Sequence, residues 1–422
     1  MSPRPSEQRV VVTGMGLASP LGNDPAEFWE KLANGESGIS PIEGYSADEF
    51  PSRIAGQVKD FDPASLFGRK AARRMDRCTQ LTVAAAGAAL DESGLGRAAG
   101  RPEGLDERIG VVIGTGLSCL ATFEAESDVI ARKGPRRVSP FLASMMLPNM
   151  PAGQVSIDFG LLGPSRGIST ACATGADCIG EGAALIRRGM VDSVLAGGAD
   201  SGITPLVMSA FSSARTLSHR NDDPTLASRP FDRDRDGFVM AEGAAVVTLE
   251  ALDHARDRGA PILAELAGYG TSSDAYHITA PDESGHGIAR AITMALDDAG
   301  WDPEQVDYVN AHGTSTQLND RVETLALKQA FGARAYEIPI SATKSMIGHT
   351  LGAAGAVEFV ATVMALRNRF LHPTINLDSP DPSCDLDYIP NTGRAVPAKR
   401  AISNSLAFGG HNACLAIQRW DD

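Results

Sequence analysis

The sequence predicts an α/β fold, and two observations carry that prediction. Short apolar runs ending in glycine or small residues recur along all 422 residues, and stretches of helical length lie between them. With 43% hydrophobic residues and 44 glycines the chain can bury a large core, and its length suits roughly two or three domain-sized units.

The elements follow in order. Residues 10–13 (VVVT) read as a first buried strand and residues 80–92 as an alanine-rich helix. Residues 111–113 (VVI) give a second strand. Residues 176–188 form a helix of small residues that ends on Arg187, Arg188 and the stop signal Gly189. Residues 194–196 (VLA) and 244–249 (AAVVTL) are strands, and the Asp-, Arg-, Ser- and Pro-rich stretch 218–236 between them is a loop. Past Leu252 the alternation resumes with a helix at 287–299, strands at 306–310 and 338–342, and a helix at 353–368. A boundary there divides the chain into two α/β parts, residues 1–252 and 253–422, between which no sequence similarity stands out.

Bulk properties exclude several function classes. No stretch approaches the roughly 20 uncharged apolar residues of a membrane span, and MSPRPSEQR runs into a strand without the apolar region of a signal peptide. A cytoplasmic protein is expected. Cys78, Cys119, Cys172, Cys178, Cys384 and Cys414 are dispersed without a CxxC pair, so reduced thiols are expected rather than a metal site or a disulfide framework. A formal net charge of -14 argues against sequence-independent nucleic-acid binding.

Two motifs are lookalikes. VVVTGMGLAS gives GxGxxS, without the third glycine of a dinucleotide turn or the acidic strand end that should follow. Asp232, Asp234, Asp236 and Gly237 imitate a calcium loop, yet the twelfth position is Gly243 and a strand follows where a helix is required.

Three residues at strand-to-helix junctions carry chemistry. Cys172, in GPSRGISTACATGADCIG, is placed at a helix start, where unpaired N–H groups favour thiolate and are expected to lower its pKa. His312, in VDYVNAHGTST, follows an apolar strand. His349, in SATKSMIGHTLGAAG, precedes a helix whose start, together with Lys344, disfavours protonation and leaves a neutral imidazole that donates a hydrogen bond.

With VVVTGMGLASPLGN, GGADSGITP, ASRPFDRDRDGFVMAEGA, SSDAYHITAP and SNSLAFGGHNA added, the chain resembles the β-ketoacyl-acyl carrier protein synthases, most closely the elongating type of fatty acid and type II polyketide synthesis. The resemblance runs nearly end to end. It implies a thiolase-like fold, two similar α/β halves in layered αβαβα arrangement. It also implies decarboxylative Claisen condensation without a cofactor, the substrates being carried on the phosphopantetheine arm of an acyl carrier protein.

By the same resemblance Cys172 accepts the acyl chain, His312 and His349 are catalytic, and Lys344 supports them. Glu323, Glu358, Thr314 and Thr316 are supporting residues. Phe408 is the gate, and its N–H and that of Cys172 form the oxyanion hole. Leu117, Leu142, Phe211 and Thr279 line the acyl tunnel, and Arg73, Arg74, Arg137 and Arg215 dock the carrier. The implied assembly is a homodimer or a heterodimer with a chain-length-factor-like subunit.

Departures from the pattern are Ala407 where the fatty-acid enzymes usually have glycine, Gln317 and Asn319 where proline and glycine are usual, and Leu142 for a second phenylalanine. A chain-length factor itself lacks the nucleophile, so Cys172 argues against that reading. A thiolase carries a different cysteine and histidine constellation.

Overall fold

The structure, a computed structural model, describes residues 5, 8–95 and 106–421, and most of the stretch 1–9 read above for a leader lies outside them. Ten strands form one hydrogen-bonded sheet. They are β1 (Val10–Ala18), β2 (Ile109–Gly114), β3 (Ser165–Arg166), β4 (Ser193–Asp200), β5 (Gly243–Ala251), β6 (Ala264–Ser273), β7 (Tyr308–Asn310), β8 (Ile340–Ser341), β9 (Arg400–Ala407) and β10 (His411–Arg419), in the spatial order β8-β7-β9-β10-β6-β1-β5-β4-β2-β3.

That order is one pattern used twice. The first five strands lie as β1-β5-β4-β2-β3 and the last five as β6-β10-β9-β7-β8. In each set the first strand pairs antiparallel with the fifth and the fifth antiparallel with the fourth, and the fourth, second and third run parallel. The sets join where Val10, Val11 and Val12 face Leu266, Glu265 and Ala264, so the two half-sheets expected from the resemblance are continuous. Between the sets the chain turns through the helix Leu252–Asp257.

Five helices complete the layers: α1 (Arg77–Ser93), α2 (Thr174–Arg187), α3 (His286–Ala299), α4 (Gln317–Phe331) and α5 (Ala354–Asn368). α1 covers the outer face of the first half and α3 with α4 that of the second, while α2 and α5 pack on each other between the halves. Asp76 caps α1 by accepting from the Cys78 N–H at 2.9 Å. The GxG of β1 is an approach surface for α1, because a Cβ on Gly14 or Gly16 would lie 2.1 Å from the carbonyl oxygens of Ala89 and Ala85. The second half repeats this: a Cβ on Gly268 or Gly270 would lie 2.2 and 2.1 Å from those of Ala295 and Ala291 in α3.

The loop 218–236 braces the two halves. Asp232 accepts from Arg229 and from the N–H groups of Asp378 and Ser379, and buried Arg235 pairs with Asp320 and Asp381.

Candidate active site

Cys172 stands in a single 3-10 turn, Ala171–Ala173, that runs into α2. Ala171 holds φ +47, a left-handed conformation that is costly for a residue with a Cβ. The thiol is half-buried in a cavity of about 320 Å³ also lined by His312, His349 and Phe408. Small residues bring the groups together. A Cβ on Gly175 would lie 2.6 Å from the Ala356 nitrogen, and one on Gly355 2.7 Å from the Ala176 nitrogen, so the starts of α2 and α5 meet backbone to backbone.

His312 follows β7, and His349 precedes a 3-10 turn, Leu351–Ala353, that leads into α5. Their rings are 5.3 Å apart and nearly perpendicular, at 88°. The Lys344 ammonium donates to His312 Nδ1 at 3.2 Å, and the Leu351 N–H donates to His349 Nδ1 at 3.3 Å. An accepting Nδ1 leaves the ring proton on Nε2 in both histidines. Burial first, and then the Lys344 charge, hold both imidazoles well below the usual histidine range, so they are neutral at pH 7.

Lys344 is buried, bonded at 2.7 Å to the His312 carbonyl and at 2.5 Å to Glu358. Burial raises the Glu358 carboxyl to about 7 against the pull of that ammonium. Removing one partner would strand the other, at a cost of about 3–5 kcal/mol. Glu323 accepts from the N–H groups of His312 and Gly313 at 2.8 and 2.9 Å and fixes the histidine's backbone.

One expectation is corrected here. Burial pushes the Cys172 thiol up to about 12, although Lys344 and the N–H groups of Phe408 and Cys172 itself pull it down, while Asp200 raises it further. The helix start does not yield a resting thiolate, because desolvation outweighs it.

Leu117, Phe211, Thr279, Thr314 and Thr316 line the cavity, with the two threonine hydroxyls of 314 and 316 2.9 Å apart. Leu142 does not line it. It lies in the short helix Leu142–Met145, which has no buried residue, so within one chain its assignment to the tunnel is corrected. Asn319, noted above as a departure, and its neighbour Leu318 reach the cavity from the start of α4.

Phe408 begins the turn between β9 and β10, and its ring lies 6.2 Å from that of Phe211. The left-handed positions of this turn are Gly409 and Gly410, whereas Ala407 ends β9 in an extended pairing with His411. The turn is latched to the segment that carries Thr279: Gly409 N–H donates to the Ile278 carbonyl, Asp274 N–H to that of Gly410, and Asn412 Nδ2 to Asp274 Oδ1 at 2.7 Å.

Sequence reasoning missed Asp274, Asn412 and Asp200. Asp200 ends β4 and accepts from Thr115 Oγ1 and from the N–H groups of Gly116, Leu117 and Gly352, tying the cavity wall of one half to the His349 turn of the other. An acid after a strand has no distinctive local pattern. Arg73, Arg74, Arg137 and Arg215 are exposed. Arg74 stacks over the Phe141 ring at 4.6 Å, and Arg215 adjoins Thr216 of the cavity wall.

Comparison with known proteins accords with this geometry. The profile of the beta-ketoacyl synthase N-terminal domain matches residues 7–255, and that of the C-terminal domain matches residues 263–378. The chain belongs to the β-ketoacyl synthase family. Among family members, the 3-oxoacyl-[acyl-carrier-protein] synthase 2 of Synechocystis sp. is 48% identical over 98% of this chain and 99% of its own, and that of Coxiella burnetii is 45% identical over the same shares. A beta-ketoacyl synthase from Burkholderia phymatum superposes with a TM-score of 0.90 at 37% identity, covering 98% of this chain and 100% of that one. A type II polyketide ketosynthase solved with its acyl-carrier protein and a hexaketide gives 0.89 at 36%, covering 98% and 99%. The fold is the thiolase-like fold of these ketosynthases.

Proposed function

We propose that this chain is an elongating β-ketoacyl-acyl carrier protein synthase, which condenses a Cys172-bound acyl chain with malonyl-acyl carrier protein. The observation that carries the reading is one thiol and two neutral Nε2–H imidazoles lining a single cavity. Cys172 sulfur attacks the thioester of an incoming acyl carrier, the carbon–sulfur bond to the phosphopantetheine arm breaks, and the thiol proton leaves on the arm's sulfur. A malonyl carrier then loses carbon dioxide, and the enolate oxygen accepts from Nε2–H of His312 and His349. The enolate carbon attacks the Cys172 thioester. The oxyanion accepts from the N–H groups of Cys172 and Phe408, both of which also act on the resting sulfur. Collapse expels the sulfur, which takes a proton from solvent. These steps call for no cofactor, and fatty acid and type II polyketide elongation both fit them.

Intact-mass measurement after incubation with acyl carriers tests the assignment. The wild type gains the acyl mass and Cys172→Ala gains none; a stable thioester on the alanine variant would overturn it.

The assembly follows from an uncovered face. The helix Leu120–Lys133 has no buried residue and exposes Phe123 and Ile130, and the exposed Phe141 and Leu147 flank the short helix Leu142–Met145 that packs beside it. A patch of this kind needs a partner. We assign it to a second copy of this chain, and Leu142, on the same face, then reaches an acyl chain only across that interface. Solved neighbours include ketosynthases paired with chain length factors, so a monomer in light scattering that dimerises only with such a subunit would favour the heterodimer. The reading carries with it a cytoplasmic protein.

A further inference from the structure

The turn that presents Cys172 is held from outside the cavity. Asp177, one turn into α2 and 5% exposed, accepts from Thr170 Oγ1 at 2.5 Å and from the Tyr269 hydroxyl at 2.6 Å. Thr170 immediately precedes the left-handed Ala171, and its own N–H donates to Thr174 Oγ1 at 2.9 Å. Tyr269 rises from β6 in the other half and lies flat on α2, where a Cβ on Gly180 would sit 2.4 Å from its ring. None of the three residues lines the cavity.

We propose that Asp177 is a positioning residue for Cys172: it fixes Thr170, and so the strained turn at Ala171, and is itself anchored to the C-terminal half by Tyr269. A left-handed alanine persists only where its surroundings over-determine it. Two side chains restrain Thr170, Thr174 within the helix start and Asp177, beside the backbone bond from the Ala173 N–H to its carbonyl. Only the second is tied to the other half, through the Tyr269 hydroxyl on Asp177, so it sets where the sulfur stands relative to the histidines, which belong to that half. Loosening it disperses the sulfur while leaving His312, His349 and Lys344 with all their partners.

This rests on the condensing function proposed above and makes a claim that the function alone does not. Displacing the nucleophile slows acyl transfer to Cys172, but malonyl decarboxylation needs only the histidines. Thr170→Val keeps the shape and removes the hydroxyl, Thr170→Ser keeps the hydroxyl, and Tyr269→Phe keeps the ring against Gly180. Single-turnover acylation of Cys172 and carbon dioxide release from malonyl carrier are measured separately on each. Thr170→Val and Asp177→Asn should slow acylation by about tenfold to a hundredfold, the range expected of a nucleophile displaced by a fraction of an ångström. Decarboxylation should stay within about twofold, Tyr269→Phe should lose less, and Thr170→Ser should recover most of the rate. Equal loss in both half-reactions, or no loss in either, overturns the assignment; so does Thr170→Ser behaving like Thr170→Val. A wild-type chain inert with both carriers would instead count against the condensing function.

Discussion

At Cys172 two local effects oppose each other, and their balance is measurable. The helix start, Lys344 and two backbone N–H groups favour the thiolate, while burial opposes it and wins, pushing the thiol up to about 12. Alkylation of Cys172 by iodoacetamide should therefore rise with pH throughout the range from about 7 to 10, because the reactive thiolate fraction is still increasing there. A rate that levels off below about pH 8 would mean a resting thiolate. A protonated thiol raises the question of a base, and the histidines are poorly set for that role: each carries its proton on Nε2 and has Nδ1 engaged. They suit enolate stabilisation instead. His349→Ala and His312→Ala should each lose about 10²–10³ in condensation and much less in acyl transfer, as removal of an oxyanion donor does elsewhere. Single-turnover acyl transfer failing as badly as carbon–carbon bond formation would make a histidine the base. The thiol and both imidazoles were legible because each stands at a strand-to-helix junction in its own motif. The strength of the burial at Cys172 was not, because it depends on Phe211, Phe238 and Leu351 brought from elsewhere in the chain.

The elements repeat a device that leaves only a short trace in the sequence. TGMG in β1 and AGYG in β6 each give two glycines spaced to admit a helix, and they are the written trace of the duplication that the sheet order makes complete. The trace is short because only close approach demands glycine, while the other core positions accept any apolar residue of suitable size. The apolar runs at 10–13, 111–113, 194–196 and 244–249 fall inside strands for the same local reason. The β1–β6 junction was not legible, since pairing between strands over 250 residues apart leaves no local mark. Nor was the latch between the Phe408 turn and the segment of Asp274. In that turn Ala407 holds an ordinary strand conformation, and the left-handed positions fall to Gly409 and Gly410, so the missing glycine costs nothing in this state. Leu142–Met145 belongs to the same uncovered face as the helix Leu120–Lys133. If it faces a second copy's cavity, Leu142→Phe adds bulk there and should shift products to shorter chains, read by mass spectrometry of the released acyl groups. An unchanged length distribution would remove Leu142 from the tunnel of either subunit.

At the scale of the whole molecule, a net charge of -14 repels an acidic partner, so any acidic carrier must be met by local fields. The exposed cations are not spread evenly. Arg69, Lys70, Arg73 and Arg74 lie on and just after the short helix Arg69–Ala72, and Arg132, Lys133, Arg136 and Arg137 cluster at the end of the helix Leu120–Lys133. Arg74 reaches the second group's neighbourhood by stacking on Phe141, while Arg132 is partly neutralised by Asp128 at 2.6 Å. Arg215 stands apart, exposed beside Thr216 of the cavity wall. Arginines at the rim of an interface act chiefly on the encounter rate, and that action decays over a screening length of about 8 Å at physiological salt. Arg74→Glu with Arg215→Glu should therefore cut carrier-borne condensation by about tenfold at low salt, with the gap narrowing as salt rises. Small thioester mimics feel no such field and should react at the wild-type rate. Arg74→Glu also gives up the cation over Phe141, worth about 0.5–1 kcal/mol, so Arg74→Lys, which keeps the charge but not the planar stack, serves as the charge-preserving control. Steady-state rates for carrier and mimic at two salt concentrations decide the matter: equal losses for both substrates, independent of salt, would mean that these arginines hold the fold rather than receive the carrier.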